Sequence, residues 1–536
     1  MTRPSVSVAI VLIIGTWPVA WSTTPLRELW PPLVALAVIA ATRHALAGLL
    51  AGGFAGAVIL AGGDPWQAYL AVLRDHLAPS LASTWKTGAL LFTLVLGGFA
   101  AVLERGGGFR TLLERVVAGR GDADRRFQAA ALGLGLLCFF DGLANSMMVG
   151  RVGRDLADRC GTARVKLAYI VDSTSSAVAC VALVSTWIAF QLAMIREGFA
   201  LAGREVNPYA EFLSSLPANF HCWFTLVLLG VSVAARFDPG PMGRYAAAAR
   251  AAPVRVEPRR GAAAPASAAL VPLAVLLGAF FLGFYLLGTS GPLLPVSREK
   301  IVAAFGSDAG PAVMVLAGLV ATAVAVAMYP ANPANPAAGR RRLAPAGAAF
   351  LDGFRTMLGP AVILVAAWIL GSVLAALGTA QLLAGAAAAL DAAPLLPVVV
   401  FLTGAVVSFT TGTSWGTMGI LFPLAIPAAA GAIGHLEPGA QATFLHVIVA
   451  AVFSGAVFGD HCSPFSDTTI VTSIACGVEP HDHVRTQLPF ALIAAATAAV
   501  LGFLPAGFGV PAWVSLAAGT AVLVALPQFV RRRAHA

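Results

Sequence analysis

The chain of 536 residues is 58% hydrophobic and 11% charged, with a mean hydropathy of +0.83 and a formal charge of +9. Soluble globular proteins carry about 25% charged residues, so an ordinary soluble fold, a disordered chain and a nucleic-acid partner are all excluded. Apolar runs of roughly 17–25 residues, long enough to cross a bilayer as helix, recur along the chain. They lack period-two alternation, which excludes an outer-membrane barrel. The expected fold class is an all-α polytopic membrane protein whose principal partner is the lipid bilayer.

In chain order, the runs predict spans near 5–21, 31–42, 45–62, 86–103, 166–195, 216–235, 266–289, 311–329, 353–378, 442–475, 487–506 and 511–527. No small-x-small cleavage site follows the first run, which is therefore read as a retained helix. Two further apolar stretches, 127–152 and 394–430, are interrupted by DGLANS at 141–146 and TTGTSWGT at 410–417. Each predicts a re-entrant hairpin, because irregular backbone at membrane depth is tolerated only beside protein or a water-filled cavity. With the N-terminus cytoplasmic and both stretches re-entrant, 27 Lys and Arg fall inside and 7 outside. This satisfies the positive-inside rule and places both termini in the cytoplasm. The expected location is a bacterial cytoplasmic (inner) membrane.

The hairpins occupy equivalent places in two halves of opposite orientation, each followed by a long span and another span. The division reads as an extra N-terminal helix at 1–30, a first inverted repeat at 31–235 and an Arg/Ala/Pro-rich cytoplasmic linker at 236–265. A second inverted repeat at 266–506 and a C-terminal helix with basic tail at 507–536 complete it. Inverted repeats with broken elements point to a secondary transporter with a midplane site. Both long spans are expected to be broken by their polar residues, the first at Asp172 to Ser176 and the second near Gly459 and Pro464.

Four acids fall at predicted membrane depth: Asp141, Asp172, Asp460 and Asp467. A charge at a helix centre costs about 2.5–3.5 kcal/mol on insertion scales, so such residues default to function. No Lys or Arg shares these stretches, which leaves a proton or a bound cation to neutralise them. The structural alternative for each is a helix cap beside a break. Asn145, Ser173, Thr174, Thr411, Thr413, Ser414, Ser466 and Thr468 supply amide and hydroxyl groups for the shell of a hard cation, or are satisfied polar groups. A Na+ site at Asp172, Thr174, Asp467 and Thr468 is the resulting hypothesis. Trp415 reads as packing or gating and Arg43–His44 as a cytoplasmic turn; modulation of pH response by His461 is considered and not favoured. His481-Asp482-His483 lacks HExxH spacing and reads as a solvated loop. The six cysteines form neither a disulfide framework nor a zinc pattern.

The polar strings resemble the NhaC-type Na+/H+ antiporter family: KLAYIVDSTSSAVACVALVSTWIAF at 166–190, TTGTSWGTMGILFPLAIP at 410–427, FGDHCSPFSDTTIVTSIACGVEPHDHVRTQLPFAL at 458–492 and, more loosely, CFFDGLANSMMVGRVGRDLADR at 138–159. The resemblance implies two scaffold-plus-transport halves and exchange of Na+ for H+, with the family's acidic, amide and hydroxyl positions falling on Asp141, Asn145, Asp172, Ser173, Thr174, Thr411, Thr413, Ser414, Asp460, Ser466, Asp467 and Thr468. Two departures stand out. Relatives resemble FxDDY in the first hairpin, where Gly142 here follows Asp141. Relatives also tend to carry DSTAAP, where this chain has no proline after Asp172. Some family members exchange malate and lactate.

The expected function is an alternating-access Na+/H+ antiporter, with Li+ a further candidate ion, Na+ and H+ as the transported ions and no cofactor. Asp172 and Asp467 would hold the cation and proton in turn. A cation-coupled carrier of an organic anion, amino acid or drug is the alternative, and a homodimer is left open. No HExxH or P-loop pattern supports a metalloenzyme or an ATP-driven pump.

Overall fold

Backbone in hydrocarbon must satisfy its own N–H and C=O groups, and no strand occurs among the described residues of the computed structural model. These are residues 14–535 apart from 118–121, 252–263, 290, 298–299, 302–303, 305–306, 308, 330–342 and 390–391. Most of the expected first span therefore lies outside the described residues, as does much of the linker.

The first half opens with α1 (Leu26–Thr42) and α2 (Ala45–Leu60). The chain then turns by 115° into a helical segment over 65–82 and continues as α3 (Thr84–Gly106) and α4 (Gly108–Val117). The first hairpin is α5 (Ala123–Leu137) and α6 (Gly142–Cys160). The long span is α7 (Arg164–Val181) and α8 (Thr186–Leu201), bent by 45°. Helix α9 (Phe220–Ala235) and the linker helix α10 (Met242–Ala251) follow.

The second half comprises α11 (Ser267–Gly288), α12 (Gly310–Ala327), α13 (Leu343–Thr356) and α14 (Leu358–Leu377). Its hairpin is α15 (Leu396–Thr411) and α16 (Ser414–Ala432), and its long span is α17 (Pro438–Cys462) and α18 (Asp467–Cys476). Helices α19 (Pro480–Thr497) and α20 (Ala512–His535) close the chain.

Side-chain bonds show that both interrupted stretches turn back. At the open end of the first hairpin, Thr162 beyond α6 donates to Asp124 of α5 at 2.6 Å, so entry and exit lie together. Arg250 of α10 bonds Asp124 at 2.9 Å, and Lys166 pairs with Asp238 at 2.6 Å and bonds Ser232 of α9. Both ends of the second hairpin, at Pro394 and at Ile433 to Leu436, line a different cavity beside Ala218. Ala218 precedes the N-terminus of α9, and Ser232 lies near its C-terminus. A helix of 16 residues, about 24 Å long, therefore separates the two entry faces, and the hairpins enter from opposite sides.

One expected break moves. Asp172 to Ser176 lie inside the continuous helix α7, and the chain breaks instead at 182–185. The Thr174 hydroxyl donates to the Ile170 and Val171 carbonyls at 2.9 and 3.0 Å, and Ser175 donates to the Asp172 carbonyl at 2.9 Å. Such back-bonding satisfies these residues without opening the helix. Gly459 likewise stays helical, and the second break falls at 463–466 around Pro464.

Gly459 serves packing instead. A Cβ there would sit 2.1 Å from the Phe409 nitrogen and the Ser408 carbonyl carbon of α15, and one at Gly455 would sit 2.7 Å from the Phe401 oxygen. Small residues four apart let membrane helices approach closely. Gly459→Ala is expected to cost about 1–3 kcal/mol through overpacking, read as a lower melting temperature in detergent. Gly347→Ala, which meets nothing within 4 Å, should leave that temperature unchanged or slightly raised.

Candidate functional site

The helix breaks converge on one cavity of about 190 Å³, lined by Asp141 to Leu143 of the first tip and Gly412 to Trp415 of the second. Thr186 and Trp187, then Met357, Gly359, Pro360 and Ile363 where α13 meets α14, and Asp460, Asp467 and Thr468 complete its wall. No Lys, Arg or His is among these lining residues.

Each break is closed by a local cap. Asp141 accepts from Ala144 N–H at 2.6 Å, opening α6, and the Phe140 carbonyl accepts from Thr186 N–H at 2.9 Å. Ser185 accepts from Trp187 and Ile188 N–H at 3.2 Å each, opening α8. At the second tip Gly412 has φ +67°, and its N–H reaches the Ser408 carbonyl at 2.8 Å. Glycine suits that left-handed position, and a Cβ there would also lie 2.6 Å from the Phe465 backbone. Thr413 then caps α16 through Gly416 N–H at 3.1 Å. Four helix N-termini, those of α6, α8, α16 and α18, thus face the cavity, an arrangement that favours carboxylates there.

Asp460 sits in the last turn of α17. Its carbonyl accepts from Thr468 and Thr469 hydroxyls at 2.9 and 3.3 Å, and its Oδ1 accepts from Ser466 at 2.9 Å. Its Oδ2 is buried with no hydrogen-bond partner among the described residues. Asp467 begins α18, with its carboxylate on the same cavity. Both capping and cavity-facing roles therefore coincide at Asp141.

Asp172 and Thr174 are not among the residues lining this cavity, so the four expected Na+ ligands do not share it. Asp172 is fully enclosed. Its Oδ2 accepts from Gln487 at 2.8 Å, lies 3.1 Å from His483 Nε2 and is reached by the Thr469 hydroxyl at 3.4 Å. Ser173 bonds His461 Nε2 at 2.8 Å. Asn145 donates to Thr174 at 3.2 Å and to the Gly135 carbonyl at 3.3 Å, leaving its Oδ1 buried with no partner among the described residues. Ser146 and Thr472 bond at 2.8 Å. These contacts join α6 and α7 of the first half to α17, α18 and α19 of the second. Thr411 donates to Val407 at 2.7 Å, within the last turn of α15.

The solvated-loop reading of His481–His483 is overturned. Helix α19 begins at Pro480, and His483 is fully buried against Asp172 while His481 is exposed. The signal was present: Glu479 precedes a proline at the first helical position, a helix start, and His483 and Gln487 share one face four residues apart. The Arg43–His44 turn packs on the break between α17 and α18, with the Arg43 guanidinium 3.3 Å above the Phe465 ring centre. Among the described residues no three His, Cys, Asp or Glu side chains converge as a metal-binding group.

A second cavity of about 410 Å³ adjoins the first, sharing Asp141, Leu143 and Met357. Glu104, Arg105, Arg151 and Asp352 line it. Arg105 pairs with Asp352 at 2.8 Å, and Arg151 lies 3.9 Å from Glu104.

Removing one member of the Asp172–His483 pair strands a buried polar group, at about 1–3 kcal/mol. Asp172→Asn and His483→Gln should therefore each lower thermal stability. A double-mutant cycle should give a coupling of about 0.5–3 kcal/mol, the range for residues in contact; additive losses would contradict a direct bond.

The model of the Na+/H+ antiporter family matches residues 178–508. The chain is 28% identical to an uncharacterized protein of Haemophilus influenzae over 94% of its own length and 95% of that protein. It is 39% identical to an uncharacterized Na+/H+ antiporter of the same organism over 106 residues, 19% of this chain and 20% of the relative. Over the same length it is 36% identical to the malate-2H+/Na+-lactate antiporter of Bacillus subtilis, covering 19% and 21%. Among solved structures, the Alcanivorax borkumensis YdaH transporter shares the fold with a TM-score of 0.57 at 16% identity, covering 83% of this chain and 89% of that one. Neisseria gonorrhoeae MtrF does so with a TM-score of 0.50 at 14% identity, covering 86% and 84%. The chain is a multi-pass membrane protein and secondary transporter that belongs to the Na+/H+ antiporter family.

Proposed function

We propose that the protein exchanges Na+, and Li+ as a competing ion, for protons by alternating access in a bacterial inner membrane. The observation that carries this reading is the cavity wall: among the described residues it holds three carboxylates, no cationic side chain, and an Asp460 oxygen buried without a donor. An unneutralised carboxylate at membrane depth is costly, so each state of the cycle needs a cation or a proton there. Na+ is a hard cation that takes oxygen ligands. Asp460 Oδ2 and Asp467 supply charge, and the Ser414 and Thr468 hydroxyls supply neutral oxygens. Competition between Na+ and H+ for these oxygens is sufficient for coupling: the site crosses the membrane occupied by one or the other.

In this reading Asp172 is a positioning residue. Bonded to His483 and Gln487, it fixes α18 and α19 relative to α7 and so holds Asp460 and Asp467 in place. The arginine-rich face is cytoplasmic, and the 410 Å³ cavity is the cytoplasmic approach to the ion. Rocking of the hairpins against α3, α13 and α14 exposes the site to the other side.

Four helix N-termini at the cavity also favour a second reading, cotransport of a small carboxylate, the kind of solute named for the Bacillus relative. The anionic wall opposes it. An organic anion that changes Na+ affinity would support the second reading, and indifference supports simple exchange.

Asp460→Asn, in protein that remains folded, should weaken Na+ binding about 10–100-fold, the loss of a charged ligand worth roughly 1.5–3 kcal/mol. Calorimetric titration with NaCl checks this. Thr411→Ala, away from the cavity, should leave the affinity unchanged.

A further inference from the structure

We propose that α4 and the second arm of the first hairpin, α6, form a binding site for the phosphate headgroup of an anionic phospholipid. The proposal rests on the cytoplasmic placement of the arginine-rich face, and is independent of which ion is transported.

The sequence of α4, GFRTLLERVV, is amphipathic. Phe109 and Leu113 are buried, and Thr111 donates to the Ala264 carbonyl at 2.6 Å. Arg110 and Arg115 are exposed, as is Val116. The helix follows α3 directly after Gly107, whose φ is +73°. An amphipathic basic helix leaving the end of a span lies in the membrane interface.

Across from it, Arg151, Asp155 and Arg159 recur every four residues along α6, forming one stripe. The two stripes enclose a cavity of about 240 Å³, lined by Arg110, Glu114, Arg151, Val152, Asp155, Leu156 and Arg159. Three arginines thus meet two acids. Arg110 is held by Glu114 at 2.9 Å, and Arg151 lies 3.9 Å from Glu104. Arg159 makes no ion pair with another described residue, although it is half-buried. The excess charge is positive, and guanidinium groups bind phosphate oxygens in paired hydrogen bonds.

The positive-inside rule accounts for arginines on this face, but not for their convergence from two elements on one cavity. Val152 and Leu156 give that cavity an apolar wall, and the exposed Val116 of α4 marks the same helix as interfacial. A headgroup with acyl chains matches both features; a soluble phosphate matches only the charge. Basic pockets between helices at the cytoplasmic surface bind anionic lipid headgroups in this way. The site also has a mechanical consequence. Helix α4 is anchored to the start of α11, where Gly108 abuts Ala269, and α6 carries the Asp141 tip. A headgroup held by both would tether the hairpin to the surrounding helices.

The test is lipid retention by the full-length protein. Detergent-purified protein is incubated with phosphatidylglycerol or phosphatidylcholine, and retained lipid is counted by native mass spectrometry. Wild type should retain phosphatidylglycerol in preference to phosphatidylcholine. Each arginine neutralised, in Arg110→Gln and Arg159→Gln, should weaken retention by about fivefold, the equivalent of roughly 1 kcal/mol per charge. Arg159→Lys, which keeps the charge but loses the paired hydrogen bonds, should fall between wild type and Arg159→Gln, and Arg244→Gln on α10, away from the cavity, should behave as wild type. Equal retention of both lipids, or retention unchanged in the folded double variant, overturns the proposal. Displacement of the lipid by millimolar inorganic phosphate also overturns it, in favour of a soluble anion.

Discussion

Everything in this molecule follows from the rule that backbone polar groups at membrane depth must find partners inside the protein. The chain breaks helices at 138–141, 182–185, 412–413 and 463–466, and each break is closed by short side chains. Asp141, Ser185 and Thr413 cap the restarting helices, and Thr468 and Thr469 return to the Asp460 carbonyl. The same polar residues that make broken helices tolerable therefore collect at one place. Under the proposed function, a site for a hard cation arises where capping oxygens outnumber the donors available to them.

Two polar layers result, with different jobs. The cavity layer holds Asp141, Asp460 and Asp467 in contact with open space. The layer behind it, built on Asp172, His483, Gln487 and Thr469, is fully buried and bonded across the two halves. A bistable transporter needs both: a site whose charge is balanced by its cargo, and a rigid support that carries the site as a unit. The close approach of α15 and α17 at Gly455 and Gly459 adds to that rigidity on the second half.

Much of this was legible in the sequence. Span length and hydrophobicity set the helices, and the small polar interruptions at 141–146 and 410–417 marked hairpins whose tips do meet. The arginine bias implied the opposed entry faces. What escaped had specific physical causes. Ser and Thr at 173–176 look like an interruption in a linear sequence, but their hydroxyls bond back into α7 and leave it intact. His483 was hidden because α19 starts at Pro480, seven residues before its apolar run becomes obvious. Which acids face the cavity depends on rotation about helix axes that lack strong amphipathicity, so Asp172 and Asp460 could not be told apart from their neighbours alone. The whole-length likeness to the Haemophilus influenzae protein and the shared fold with two solved transporters fit the architecture without distinguishing these roles.

Competition between cation and proton for the Asp460–Asp467 cavity is the core of the proposed exchange. Its most direct test is proton flux in proteoliposomes carrying an internal pH dye, challenged in turn with NaCl, LiCl, KCl and choline chloride. The account predicts a pH change with Na+ or Li+ that is absent with choline and lost in folded Asp460→Asn protein. A flat response to every salt from protein that still binds Na+ would contradict it, as would an undiminished response in Asp460→Asn.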